Sequence, residues 1–245
     1  MKPHAEINTT DNRLLNFMSA EDRSFLAPHM RRVQVAPRQV LEEPEAPIDS
    51  IYFPEDGVLS VVGNSPTFGP MEIGLIGKEG MTGLMVVLGN DRSPLQTLTQ
   101  VAGSAMMIGS SELRGAMNRK PGIRDLLLTY VQVFLIQTSH TALSNAANLL
   151  PQRLARWLLM CADRLTSRNI PITQEFLSVM LGVKRDGVAV VISELQGRGL
   201  IKSERRLISI LDREGLIELA DGTYGIAEAT YERLFAQKQD GGQAR

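Results

Sequence analysis

Near the start of the chain apolar residues recur at helical spacing, with Ser19 and Asp22 resembling a capping box ahead of Phe25, Leu26 and Met30. From Arg32 to Ile108 the pattern shortens. Runs at Arg32–Val35, Asp49–Phe53, Val58–Val62, Glu72–Ile76, Leu95–Val101 and Ala105–Ile108 read as strands. Turn signals at Pro44, Pro54–Gly57, Gly63–Gly69, Gly77–Gly80 and Gly89–Pro94 separate them. Many short strands at regular spacing predict an antiparallel barrel or roll.

Helical periodicity then returns. A short helix is predicted from Ser110 to about Asn118, broken by Pro121-Gly122, and a long one from about Ile123 to Leu149. Leu126, Leu127, Leu128, Tyr130, Val131, Val133, Phe134, Leu135 and Ile136 leave its first half without a polar face. Such a helix has to be covered on more than one side. The roll can cover one; the same helix of a second subunit most simply covers the other, the alternative being a core helix of one large domain. Pro151 marks a hinge, followed by the helical opening Arg153–Leu159. Further helices are expected near Leu216–Ala220, started by Asp212, and at Ile226–Gln237, before a frayed tail from Asp240 to Arg245. The chain thus reads as α+β in three parts: 12–120, 121–149 and 150–237.

Ile172 to Leu211 carries the clearest functional signal, a winged helix-turn-helix. Thr173 can cap a helix with Phe176, Leu177 and Met180 or Leu181 at apolar spacing. Gly182 allows the left-handed turn, and Val183 returns to the core. A second helix, roughly Lys184 to Gln196, buries Val188, Val191 or Ile192, and Leu195, and carries Lys184, Arg185 and Asp186 outward. The N-terminal residues of a helix lying in the major groove meet base edges, so polar groups there point to DNA. The bland alternative is a helical hairpin with a solvated face.

Charge sharpens this. The net charge of the 245 residues is only -1, but Pro151 to Ile210 holds ten Lys or Arg against five acidic residues, while residues 1–150 sum to about minus three. Only the second half is equipped to approach phosphates. Cys161, the single cysteine, rules out an internal disulfide and any cysteine-ligated iron–sulfur or Cys-rich zinc site, and its apolar surroundings predict a buried thiol. His4, His29 and His140 lack ligand spacing, so neither a metal nor haem is expected. Met1 to Asn12 is too polar for a signal peptide, and the apolar run Leu126–Ile136 is too short for a membrane span. A cytoplasmic protein without membrane contact is expected. No catalytic constellation is visible, so an enzyme is not expected.

Roll, long helix and winged helix in this order resemble the Crp/Fnr family of bacterial transcription regulators, from about Asn12 to Phe235. Family members carry Gly, an apolar residue, Ser or Thr, then Arg-Glu-Thr-Val-Ser-Arg. The matching run is Gly182-Val183-Lys184-Arg185-Asp186-Gly187-Val188-Ala189-Val190. Arg185 keeps the family arginine, and Asp186 is a shorter acid that can still accept from cytosine N4. Val190 replaces the arginine that reads guanine, so the half-site is expected to differ. Arg198–Ile201, Leu207–Leu211 and Asp212–Leu216 look like the family's wing and closing helix. The resemblance implies a cyclic-nucleotide-binding-like roll and a homodimer on double-stranded promoter DNA, with RNA polymerase a further candidate partner. Lys184, Arg185, Asp186, Gly187, Ala189 and Val190 would face the groove, and Thr173, Gln174, Arg205 and Arg206 would hold phosphates. A ligand-sensing module whose basic half contacts proteins is the rival reading.

The effector motif departs from the family. Cyclic-AMP-binding relatives carry Gly-Glu-Leu, whose glutamate accepts from the ribose, and then Arg-Ser or Arg-Thr followed by Ala, whose arginine pairs with the phosphate. Here stand Gly80-Met81-Thr82-Gly83-Leu84-Met85 and Asp91-Arg92-Ser93-Pro94. Arg92 and Ser93 match. Leu84 cannot accept a hydrogen bond, and an unpaired buried hydroxyl costs about 1–3 kcal/mol. Pro94 also removes a backbone donor. Thr138-Ser139 coincides with the pair that contacts adenine in such relatives, although two hydroxyls facing a dimer seam would look the same. The resemblance therefore implies an effector site at Gly83, Arg92, Ser93, Thr138 and Ser139. It is not expected to take cyclic AMP in the usual way, and a different nucleotide-like effector, or none, stays open.

Overall fold

The computed structural model describes the backbone of residues 9–67 and 69–242, and side chains as far as Gln237. The segment before Thr9 lies outside the described residues. Asn12 caps α1 (Arg13–Asn16), its Oδ1 accepting from the Leu15 amide at 2.9 Å. Its amide donates to the carbonyls of Pro54 and Gly80 at 2.7 and 2.9 Å, so this buried side chain anchors the N-terminus to the roll. Ser19 caps α2 (Ala20–Leu26) through the Asp22 amide, as its spacing predicts.

Seven strands build the roll: β1 (Arg31–Val35), β2 (Val40–Glu42), β3 (Ser50–Pro54), β4 (Val58–Ser65), β5 (Gly69–Ile76), β6 (Gln96–Val101) and β7 (Gly103–Gly109). They form two antiparallel sheets, ordered β1-β7-β3 and β2-β6-β4-β5. Sequence reading missed β2, which is three residues long and bulged at Val40/Glu42, too short for any alternation to register. A helical turn, α3 (Leu84–Val87), follows β5 behind Gly83, whose φ of 74° puts it in the left-handed region.

After α4 (Ser110–Arg119) comes α5 (Pro121–Ala147). It begins earlier than expected because Pro121 occupies the first turn, where a missing N–H costs nothing. By length and composition α5 could cross a membrane. Instead it is fitted to the roll. Gln137 accepts from Leu75 N at 2.7 Å and donates to Leu75 O at 3.1 Å, a side-chain amide completing the edge of β5. Phe134 presses so close to Gly74 that a Cβ there would stand 2.7 Å from the ring.

The second half comprises α6 (Leu150–Arg164), β8 (Asn169–Ile170), α7 (Gln174–Leu181), α8 (Arg185–Gly197), β9 (Ile201–Glu204), β10 (Leu207–Ile210), α9 (Arg213–Leu219) and α10 (Ile226–Gly242). The small sheet is ordered β8-β10-β9. The core of this half does not stop at its border: Leu154, Trp157, Leu158, Met180 and Leu181 share one buried cluster with Val58, Val62, Leu75 and Val101 of the roll. α10 returns to the chain's beginning, where Tyr231 and Phe235 stack on Phe17, with Phe17–Phe235 centroids 4.8 Å apart. It runs on to Gly242, past the point where fraying was expected; residues 243–245 lie outside the described residues.

Candidate nucleic-acid interface and effector cavity

The sequence shapes the helix-turn-helix locally. Thr173 Oγ1 accepts from the Phe176 amide at 3.2 Å and starts α7. Gly182 ends it with φ 62°, and an added Cβ would collide with Met71 of the roll. Val188, Val191, Ile192 and Leu195 of α8 are buried, as the periodicity predicts. Lys184, Arg185, Asp186 and Val190 are exposed, Val190 at 68%, while Gly187 and Ala189 lie half-buried beside them. Asp186 suits the positive end of the helix dipole, but Lys184 and Arg185 do not stabilise α8 there. They add charge to an N-terminus already suited to anions.

Arg205 and Arg206 form the tip of the wing between β9 and β10, Arg206 with φ 61°. Lys202 is paired with Glu204 and Arg198 with Glu194, whereas Lys184, Arg185, Arg205 and Arg206 form no ion pair among the described residues. Not every arginine of the basic segment is available to DNA. Arg153 donates to Asn145 Oδ1 at 2.9 Å and to the Leu181 carbonyl. Arg156, buried, donates to Thr223 O at 2.9 Å and Thr141 Oγ1 at 3.2 Å. Arg164, also buried, is paired with Glu79 at 2.7 Å. These three hold α6 to its neighbours. The charge count of the sequence overstates the binding surface by their number.

The predicted phosphate contacts divide. Thr173 and Arg206 border a cleft of about 510 Å³ whose far wall is Pro37, Arg38 and Gln100–Ala102 of the roll. Arg38 lies 6.0 Å over the Phe176 ring. Gln174 is half-buried at the start of α7, and Arg205 points to solvent.

A second cavity, about 390 Å³, opens between the roll and α5. Of the residues expected at an effector site, Gly83, Ser93 and Thr138 line it. Arg92 and Ser139 do not. Arg92 is half-exposed and its guanidinium donates to the Glu45 carbonyl, held aside by the bridge between its own segment and Pro47. Ser139 is exposed and returns its hydroxyl to Leu135 O at 2.8 Å. Both depart from the expected effector site. Sequence reading missed Glu42, the carboxylate that does reach the cavity: it accepts from Gly83 N and from Thr97 Oγ1, and burial pushes its pKa up. It comes from the unrecognised β2, about forty residues upstream of Gly83, so no local spacing announced it.

Missed as well was Glu72 on β5. It is buried at the junction of the two halves, accepting from Trp157 Nε1 at 2.8 Å and Ser60 Oγ at 2.6 Å, and desolvation raises its pKa to about 7. Cys161 is fully buried, and desolvation lifts its thiol well above the usual range, as its surroundings predict.

The chain thus joins a roll, a long helix and a winged helix that carries unpaired cations at its recognition helix and wing tip. Residues 152–219 match the Crp-like helix-turn-helix domain. The whole fold is that of Crp/Fnr family regulators. FixK2 from Bradyrhizobium japonicum superposes with a TM-score of 0.67 at 16% identity, over 78% of this chain and 96% of that one. The c-di-GMP-responsive global regulator CLP of Xanthomonas campestris gives 0.62 at 16% identity, over 78% and 99%. A CooA mutant from Carboxydothermus hydrogenoformans gives 0.60 at 12% identity, over 87% and 97%. No curated protein matches the chain.

Proposed function

We propose that the protein is a homodimeric, sequence-specific DNA-binding transcription regulator of the cytoplasm, without enzymatic activity, in which 12–120 sense, 121–149 dimerise and 150–237 bind DNA. The observation that carries this reading is the cluster of unpaired cations at the start of α8 and the tip of the wing, the two places where a winged helix meets base edges and phosphates. Dimerisation is supported by α5. Leu128, Gln132, Leu135, Ser139, Ala142 and Ala146 are all exposed and follow one another at steps of four and three, the spacing of a left-handed helical seam. Two copies joined there would present two recognition helices to paired half-sites.

Arg185 faces bases and Arg206 phosphates. Arg185→Ala is expected to cost about 1–3 kcal/mol and to relax discrimination at one base pair. Arg206→Ala weakens all sequences alike and flattens the salt dependence. Selection of bound sequences from a random duplex pool, followed by salt titrations of both variants, tests this. A monomeric protein whose grip on duplexes at low salt is no better than a neutral control's would overturn it, and would favour a protein-docking role for the basic half.

A further inference from the structure

The cavity between the roll and α5 has walls of a particular kind. Val61, Ile73, Ile76, Leu95, Val131 and Phe134 make it mainly apolar, and its volume of about 390 Å³ is that of a small-molecule site. Its polar groups are already engaged. Ser93 Oγ accepts from Leu95 N at 3.1 Å, Thr82 Oγ1 from Tyr52 N at 3.0 Å, and Thr138 Oγ1 bonds Leu135 O at 2.9 Å. No cation lines the cavity, since Arg92 is turned to the Glu45 carbonyl. The one ionisable group present is Glu42, an acid. A phosphate or carboxylate placed here would face Glu42 with no compensating charge, and burying an unpaired charge is strongly unfavourable. The residues present do not fit a cyclic nucleotide.

A carboxylate offers roughly four acceptor positions. Gly83 N, Thr97 and Thr82 engage Glu42, which leaves room for one more donor. We propose that this cavity binds an uncharged, mainly apolar small molecule whose polar end is a single hydrogen-bond donor, such as a hydroxyl, directed at Glu42. The proposal rests on the regulator reading for its purpose, because the walls contributed by α5 place the occupant against the helix that leads into α6. The binding chemistry stands apart from DNA binding and is tested without it.

The test uses the full chain and the uncharged dye N-phenyl-1-naphthylamine. The dye is expected to bind once per chain with enhanced emission and to be displaced by 1-decanol, but not by decanoate or cyclic AMP. Val131→Trp fills the cavity from α5 and should abolish binding. Glu42→Gln keeps the shape but offers an amide donor, so decanoate should now compete, by about tenfold or more over its effect on the unsubstituted protein. Displacement by decanoate or cyclic AMP as effective as by decanol, dye binding unchanged in Val131→Trp, or no binding because a partner helix fills the space would each overturn the proposal. DNA binding measured in parallel without dye separates this failure from failure of the regulator reading.

Discussion

Glu72 shows how much one buried carboxyl can decide. The Ser60 hydroxyl lies 2.6 Å from Glu72 and 2.5 Å from the Gln100 side chain, yet it has one proton to give. When Glu72 is protonated it can donate to Ser60 Oγ, which frees the Ser60 proton for Gln100 Oε1. Arg164 and Arg156 lie near enough to favour ionisation, but desolvation outweighs them, and the pKa rises to about 7. The folded chain therefore holds a proton that the unfolded chain has already lost above the ordinary carboxyl range. Its contribution is fully present below pH 4–5 and declines as pH rises toward 7, after which no further loss follows from this group. Glu72→Gln removes the titration while keeping an acceptor for Trp157. Urea unfolding should find the variant more stable than the parent at pH 8 by roughly 3 kcal/mol, with the gap narrowing as pH falls through 7 toward the ordinary carboxyl range. An equal gap at pH 8 and pH 5 would refute this. Asn12 is the simpler case. Truncation to Ala strands the Pro54 and Gly80 carbonyls and removes the α1 cap, an expected loss of about 2–3 kcal/mol in the same assay.

Among the helices, α5 carries the sharpest expectation. Leu135 is 64% exposed at the centre of the proposed seam. Leu135→Glu should leave the fold intact by circular dichroism and convert a dimer to monomer in sedimentation, because two carboxylates would meet at a two-fold axis. Elements with long periodic patterns were readable in advance: α8 buries Val188, Val191, Ile192 and Leu195 as its spacing requires, and the cap at Thr173 and the turn at Gly182 lie where their chemistry places them. What stayed hidden depends on contacts between distant segments. β2 is too short to show a period, so Glu42 gave no sign of its role. Glu72, next to a run of apolar residues, reads as the polar position of a half-exposed strand until α6 is seen to cover it. Arg153, Arg156 and Arg164 look like DNA-facing charge and are internal tethers, a distinction set by Thr223, Leu181 and Glu79 rather than by spacing. Matching motifs likewise predicted Arg92 at the effector site, but the Glu45 carbonyl claims it.

Taken whole, the molecule has its winged-helix half packed on the roll rather than hung from a hinge. One core crosses the border, the cleft beside Thr173 and Arg206 is walled by the roll, and α10 ties the last helix to the first. Phe235 is fully buried in that tie. Phe235→Ala should lower stability by about 3–5 kcal/mol and loosen the N-terminal helix as well as α10, so hydrogen exchange should quicken around Leu14 and Leu15 too. Acceleration confined to α10 would mean that the strap is ornamental. The same border holds the chain's single tryptophan: Trp157 is 5% exposed and hydrogen-bonded to Glu72 across the junction. Nature has thereby fitted the protein with an optical gauge of its own posture. Indole emission should stay blue while the halves are seated and move red if they part, letting a fluorimeter report on the state of this junction without a dye or an engineered label.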